Sequence, residues 1–203
     1  MSLNACIITY DDYPLIRDCI ESIYDKVDRI IAVDGRYIDF SDVCGDYSTD
    51  GTLEYLKSID KVKLFYSVSN EVDKRNLYLM QAKDNDLILN IDTDEVLVGD
   101  IKEIDYNFGI IDLHDGHSKH IQKRATRFFR YKQGMRYQYC HYTLYYQNEL
   151  INTLQKVVNN NFSYKYVNDF YLVHNWHLRS DERKFLKEKY YNKLRVREAK
   201  YRK

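Results

Sequence analysis

In the first half of this chain, apolar residues alternate between short β-branched runs and stretches at helical spacing. ACIITY (5–10) reads as a buried strand. Asp11 and Asp12 are placed to N-cap a helix with Pro14 in its first turn, and Leu15, Ile16, Cys19, Ile20 and Ile23 then recur at helical spacing. RIIAVDG (29–35) is a second strand, and TLEYLKSI (52–59) is a short helix after the turn STDG. KVKLFYSV (61–68) is a third strand, VDKRNLYLMQAK (72–83) a helix and DLILNID (86–92) a fourth strand. This alternation predicts an α/β fold with a mostly parallel sheet and helices on its faces.

The second half has a different pattern. IIDL (110–113) and TRFFRYKQGMRYQY (126–139) predict strands, the latter a hairpin through Gly134, with YTLYYQ (142–147) pairing alongside. FYLVHNWHL (170–178) is another apolar run. Ser180 can cap a following helix, with Asp181 and Glu182 in its first turn and Leu186, Tyr190 and Leu194 as its apolar line.

With 203 residues, 44% of them hydrophobic, the chain can form one domain with a sizeable core. One proline and seven glycines advertise no flexible linker. No apolar stretch is long enough to span a bilayer, and the N-terminus lacks the basic-then-apolar build of a signal peptide. Cys6, Cys19, Cys44 and Cys140 are scattered, with no CxxC pair, which fits reduced thiols and a cytoplasmic location.

Net charge is zero but divided. Residues 1–115 carry 25 acidic and 11 basic residues; residues 116–203 carry 6 acidic and 20 basic. Two solvated faces that attract each other are one reading. The other is an acidic half that holds a cation and a basic half that meets an anionic partner.

In an open parallel sheet, ligands bind beyond the carboxyl ends of the strands. Three predicted strand ends carry polar groups: Thr9-Tyr10-Asp11-Asp12, Asp34-Gly35 and Asp92-Thr93-Asp94. Neither GxGxxG after the first strand nor GxxxxGK[ST] is present, which argues against a dinucleotide fold and a P-loop ATPase. A divalent metal held by carboxylates can handle phosphates instead, and a D-x-D pair on a tight turn supplies two oxygens. Alone, such a triplet in a chain with 31 acidic residues reads as a solvated turn. Its place after the fourth strand argues for function.

These residues resemble a GT-A type glycosyltransferase, closest to family 2. The resemblance rests on ACIITYDDYPLIRDCIESI, RIIAVDG, the turn STDGT (48–52), the basic-Asn pair in KRN (74–76) and the strand that ends in D-x-D. It covers about the first 100 residues, the nucleotide-binding half, and continues more thinly through an acceptor-side half. There RFFRYKQGMRYQYCHYTL (127–144) resembles the acceptor segment, and HNWHLRSDERKFLKEKYY (174–191) the closing His-plus-Arg-Ser segment and helix. The resemblance implies a Rossmann-like GT-A domain over residues 1–203, transferring a sugar from a nucleotide donor, a UDP-sugar, with Mn²⁺ or Mg²⁺. The acceptor, whether glycan, protein or lipid, stays open. Compact size and tyrosine richness also suit a protein of a thermophilic archaeon or its virus.

By resemblance, Asp94 is the direct metal ligand, Asp92 supports the ribose or the metal, and His174 is a late metal ligand. Thr9, Tyr10, Asp11 and Asp34 line the base and ribose pocket, and Arg75 faces the nucleotide or sugar. Physically, Asp34 can accept from a uracil N–H and Tyr10 offers a stacking face. Each role has a structural rival. Asp34 can simply start a turn with Gly35, Arg75 can be a solvated helix residue, and His174 and His177 can be core histidines. Trp176 reads as core before it reads as a sugar-stacking wall. His114, His117 and His120 read as a solvated loop, and Glu95 as solvent-facing. An inverting transferase needs a base. His141 is assigned that role where some relatives carry His-Glu and this chain has His141-Tyr142, with Asp112 and Asp115 as alternatives and a retaining mechanism, which needs no such base, also open.

Two rival functions stand beside this one. A nucleotidyltransferase of similar fold would also hold a nucleotide and metal, but it lacks a basic glycine-rich loop after the first strand. A nucleic-acid-binding protein could use the basic, tyrosine-rich half but would leave the acidic edge idle. Peripheral membrane contact through the basic last helix is open, although its hydrophobic line is modest.

Overall fold

The structure, a computed structural model, describes residues 1–40, 45–102, 104–139, 143–151 and 154–201, with backbone only at 125–126, 154–155 and 194–201. The first half follows the predicted alternation: β1 (Leu3–Thr9), α1 (Leu15–Ile23), β2 (Arg29–Asp34), α2 (Thr52–Lys57), β3 (Val62–Tyr66), α3 (Glu71–Leu79) and β4 (Leu87–Asn90). A strand that the apolar pattern did not announce, β5 (Glu95–Gly99), starts inside the acidic turn. Then come β6 (Phe108–Asp115), β7 (Ile121–Arg130), β8 (Arg136–Tyr139), β9 (Thr143–Tyr146), β10 (Glu149–Leu150), α4 (Leu154–Asn159), β11 (Tyr164–Tyr166), β12 (Phe170–His174) and α5 (Asp181–Tyr201).

The main sheet runs β3-β2-β1-β4-β7-β6-β12-β5, with β11 also beside β6. Its first four strands are mutually parallel, and β6 is parallel to β11 and β12. The pairings β4–β7, β6–β7 and β5–β12 are antiparallel. The result is the expected mixed α/β fold with a mostly parallel central sheet, consistent with a Rossmann-like GT-A fold.

The hairpin expected through Gly134 does not form. Both edges of β7 are taken, by β4 and β6, so the chain turns at Gly134 and leaves the sheet. β8 pairs instead with β9 in a separate three-stranded sheet, β10-β9-β8.

β1 and β2 are buried on both faces, which is why they read as unbroken apolar runs. Ala5, Ile7, Ile30 and Ala32 meet Ile16, Cys19, Ile20 and Ile23 of α1. Cys6, Ile31 and Val33 meet Tyr78 and Leu79 of α3, with Met135 and Tyr137 packed on the same side. Each such aliphatic side chain contributes about 1.5–3 kcal/mol of burial. Cys6 and Cys19 are free thiols inside this core.

The expected N-caps of α1 are not side-chain caps. The Asp12 carbonyl accepts from Ile16 N at 3.0 Å, but Asp11 accepts from Thr49 N at 2.7 Å and the Asp12 carboxylate turns inward. A buried guanidinium outcompetes a helix amide for that carboxylate. Ser180 does cap α5, accepting from Arg183 N at 3.3 Å. The apolar line of α5 docks through Leu186 and Tyr190 on Phe40, with the Tyr190 ring stacked on Tyr37 at 4.3 Å. Among the described residues, no helix is long and apolar enough to cross a membrane.

Candidate active site

The order β2-β1-β4 brings the carboxyl ends of three parallel strands to one edge, with Thr9 opposite Asp34 in register. The acidic turn after β4 is closed by two hydrogen bonds. The Asp92 amide donates to Glu95 Oε2 at 2.8 Å, and the Glu95 amide donates to the Asp92 carbonyl at 3.0 Å. Glu95 is therefore fully buried rather than solvent-facing, where its carboxylate also accepts from Arg127. The antiparallel pairing of β5 with β12 ends with Glu95 opposite His174, and Asn175 N donates to the Asp94 carbonyl at 2.7 Å. Strand register thus carries His174 to the D-x-D turn across 80 residues of sequence.

The acids here meet a set of guanidiniums. Asp94 Oδ2 accepts from Arg179 Nε at 2.6 Å and lies 3.3 Å from His174 Nε2. Arg179 also reaches Asp12 and donates to Thr93 Oγ1 at 3.0 Å, while Thr93 Oγ1 donates to Asp12 at 2.8 Å. Asp92 lies between Arg127 at 3.2 Å and Arg75 at 3.5 Å. Arg75 donates to Glu71 at 2.9 Å and to the Tyr78 hydroxyl at 3.0 Å, so it is a buried residue and not a solvated one. The charge division of the sequence becomes physical at this point. Asp12, Glu71, Asp92, Asp94 and Glu95 come from the acidic half; Arg127, Arg179 and Arg183 come from the basic half.

Burial opposes ionisation of Asp94. Lys187 and Arg179, with hydrogen bonds from His174 and Arg179, still hold its carboxyl well below the usual range. Burial is likewise outweighed at Asp92, by Arg127 and Arg75. At Glu95 burial wins over Arg127 and raises the carboxyl. Burial disfavours the His174 imidazolium, but the hydrogen bond and charge of Asp94 raise it overall.

Two cavities open onto this turn. One of about 600 Å³ is walled by Leu113, Gln122, Arg124, Trp176, Lys184 and Glu188 beyond the acids. A narrow one of about 30 Å³ lies among Thr9, Tyr10, Gly35, Lys74 and Arg183. They share Arg75, Asp92, Arg179, Lys187 and Tyr191, so they adjoin across a charged waist, and the two cavities with that waist are termed the channel.

Most of the residues singled out in the sequence converge on this channel. Thr9 and Tyr10 line its narrow end, Arg75 and Asp92 its waist, Asp94 and His174 the wide chamber. Thr9 Oγ1 is buried without a hydrogen-bond partner. Asp11 and Asp34 line neither cavity: Asp34 accepts from both the amide and the hydroxyl of Ser48, while Asp11 holds Thr49. Trp176 is 42% exposed, a wall of the chamber and not core. Asp112 is paired with Lys123 at 2.7 Å and Asp115 accepts from His117 N and Ser118 N, and neither lines the two cavities. His117 and His120 are exposed on that turn. His141 lies outside the described residues. Sequence reasoning missed Arg127, Arg183, Lys187, Lys74 and Glu188. Lys74 was in view only as part of KRN, Arg127 only through the basic second half, and Arg183, Lys187 and Glu188 only through the helical spacing 183, 184, 187, 188 on one face of α5.

Asp94 Oδ1 is buried with no hydrogen-bond partner, on a carboxylate whose other oxygen lies 3.3 Å from His174 Nε2, and both residues line the chamber. That donor chemistry fits a divalent cation. Among the described residues no three His, Cys, Asp or Glu side chains converge on one point, so the protein offers two donors and leaves the other positions to water or ligand oxygens.

No family model and no curated protein matches the chain. Two solved structures of S. aureus TarS, one of them residues 1–349, align with it at 20% identity over 60% of its length, with TM-scores of 0.46 and 0.45. The alignments span 23% and 38% of those chains. Likeness at that level carries no argument for activity, and the functional reading rests on the site.

Proposed function

We propose that this chain is a glycosyltransferase that moves a sugar from a nucleotide donor, a UDP-sugar, onto an acceptor nucleophile. The observation that carries this reading is the pair of adjoining cavities: a narrow one bordered by the flat face of Tyr10, a shared waist of Arg75, Arg179 and Lys187, and a chamber walled by Trp176. That sequence of surfaces suits a base, a diphosphate and a sugar in turn.

In the proposed reaction, the acceptor oxygen bonds to the anomeric carbon as the bond from that carbon to the phosphate oxygen breaks. The electron pair leaves with the nucleoside diphosphate. Arg75, Arg179 and Lys187 are placed to meet the charge that develops on it. The acceptor proton passes to a base. Glu188 is the carboxylate of the chamber with no ionic partner among the described residues, and it supplements the assignment of His141. Asp94 and His174 would hold Mn²⁺ or Mg²⁺, which when bound supplies Lewis-acid stabilisation of the leaving diphosphate. Asp92, with each oxygen on a different arginine, positions the cations of the waist.

Hydrolysis of a panel of nucleotide sugars in Mn²⁺ buffer tests the reading. Donor-specific release of UDP is expected. Pyrophosphate release from a nucleoside triphosphate plus a sugar phosphate, without donor hydrolysis, would replace it with nucleotidyl transfer.

A further inference from the structure

The narrow end of the channel, about 30 Å³, is too small for a nucleobase as it stands, since ligand pockets hold roughly 300 Å³ or more. Part of its wall comes from α5. The Arg183 guanidinium lies 5.3 Å from the centroid of the Tyr10 ring. One nitrogen, Nη2, is 3.4 Å from Asp12, a carboxylate already engaged by Arg179 and Thr93. The other two, Nε and Nη1, are buried with no hydrogen-bond partner. Buried guanidinium N–H groups are costly to leave unpaired, and an anion is what they match best. Lys187, one helical turn further along the same face, borders both cavities.

We propose that Arg183 and Lys187 are ligand-binding residues that engage the diphosphate of the nucleotide, and that Arg183 gives up the face of Tyr10 to the base as it does so. The proposal rests on the nucleotide reading above. A guanidinium and a flat base compete for one π-face, so arrival of the base displaces the guanidinium. The phosphate oxygens, next to the base in the ligand and next to the waist in the protein, satisfy the two unpaired nitrogens. Lys187 adds a flexible point charge on the wall that the two cavities share.

The test is calorimetric titration of UDP, and separately of inorganic pyrophosphate, into the full chain in Mn²⁺ buffer. Wild type, R183A, K187A and K189A are compared, Lys189 being exposed. Thermal melts check folding, and R183K, which keeps the charge but loses the fork, replaces R183A if that variant fails to fold. We expect R183A and K187A each to weaken UDP by about tenfold or more, with K189A unchanged. UDP binding that is unaltered in both variants overturns the inference and leaves the nucleotide reading intact. Pyrophosphate binding that depends on Arg183 and Lys187, with no UDP binding, overturns the nucleotide reading and keeps the phosphate role. Absence of binding by either compound overturns both.

Discussion

Arg179 Nε lies 2.6 Å from Asp94 Oδ2, joining residues 85 apart in the chain, and the same guanidinium reaches Asp12 at the end of β1. One side chain from the C-terminal segment thus ties together the exits of β1 and β4. Both carboxylates are buried: Asp12 is held ionised chiefly by that guanidinium, and Asp94 by Lys187 together with it. Removing it as Arg179→Met should destabilise the fold by about 3–5 kcal/mol, the usual cost of an orphaned buried charge. Urea denaturation measures this. Arg179→Lys should recover only part of the loss, because one ammonium cannot span Asp94, Thr93 and Asp12.

Lys74 gives the stability a pH dependence with a definite sign. It is fully buried, and burial lowers its pKa from 10.5 to about 7. Asp34 and Asp12 favour its charge while Arg183 and Arg36 oppose it, and the Tyr37 ring lies 5.0 Å from its nitrogen. Between pH 7 and about 10 the unfolded chain holds a proton at this site that the folded chain releases. Stability should therefore rise with pH across that window, by up to about 1.4 kcal/mol per unit. Below pH 7 the cost of burying the charge is present in full. Lys74→Met should flatten the rise, as read from urea midpoints taken at several pH values.

Gly35 follows β2 at φ 135°, where a Cβ would clash with the Ser67 carbonyl oxygen. Backbone cannot yield as a side chain can. Gly35→Ala should cost about 2 kcal/mol or more and distort the narrow end of the channel. Denaturation midpoints check the first effect, and UDP affinity checks the second.

The proposed division of labour within the channel separates binding from turnover. Glu188→Gln should lower donor turnover, followed as UDP release, by about a hundredfold, the common scale for a lost general base. UDP affinity should stay near that of wild type. Trp176→Ala should likewise spare UDP, because the indole borders the chamber and not the narrow end. A parallel loss of UDP affinity in either variant would argue against the assignment.

Much of this was legible in the sequence where local patterns decide structure. Strands β1, β2 and β4 are apolar runs because both faces are covered, and their shared edge follows from parallel order. The D-x-D turn was visible for the same reason. What stayed hidden depended on distant partners. Three acids near one another read as a solvated exit until Arg127 and Arg179 are brought to them, so the local pattern points Glu95 to solvent and does not announce β5. The β7–β8 hairpin was misread because a local turn at Gly134 does not reveal that β7 already has two neighbours. Of the cations of the waist, Arg75 is legible in KRN, whereas Lys187 is legible only as a surplus of charge in the second half, without a direction.

The most direct test of the central claim is titration of UDP into wild type and Asp94→Ala, each with and without Mn²⁺, by calorimetry. Wild type should bind UDP at least roughly tenfold more tightly with Mn²⁺ present, a gain of about 1.4 kcal/mol, and the variant should lose that gain. Metal-dependent UDP binding that survives unchanged in Asp94→Ala would contradict the site, and no UDP binding under any of the four conditions would contradict the function.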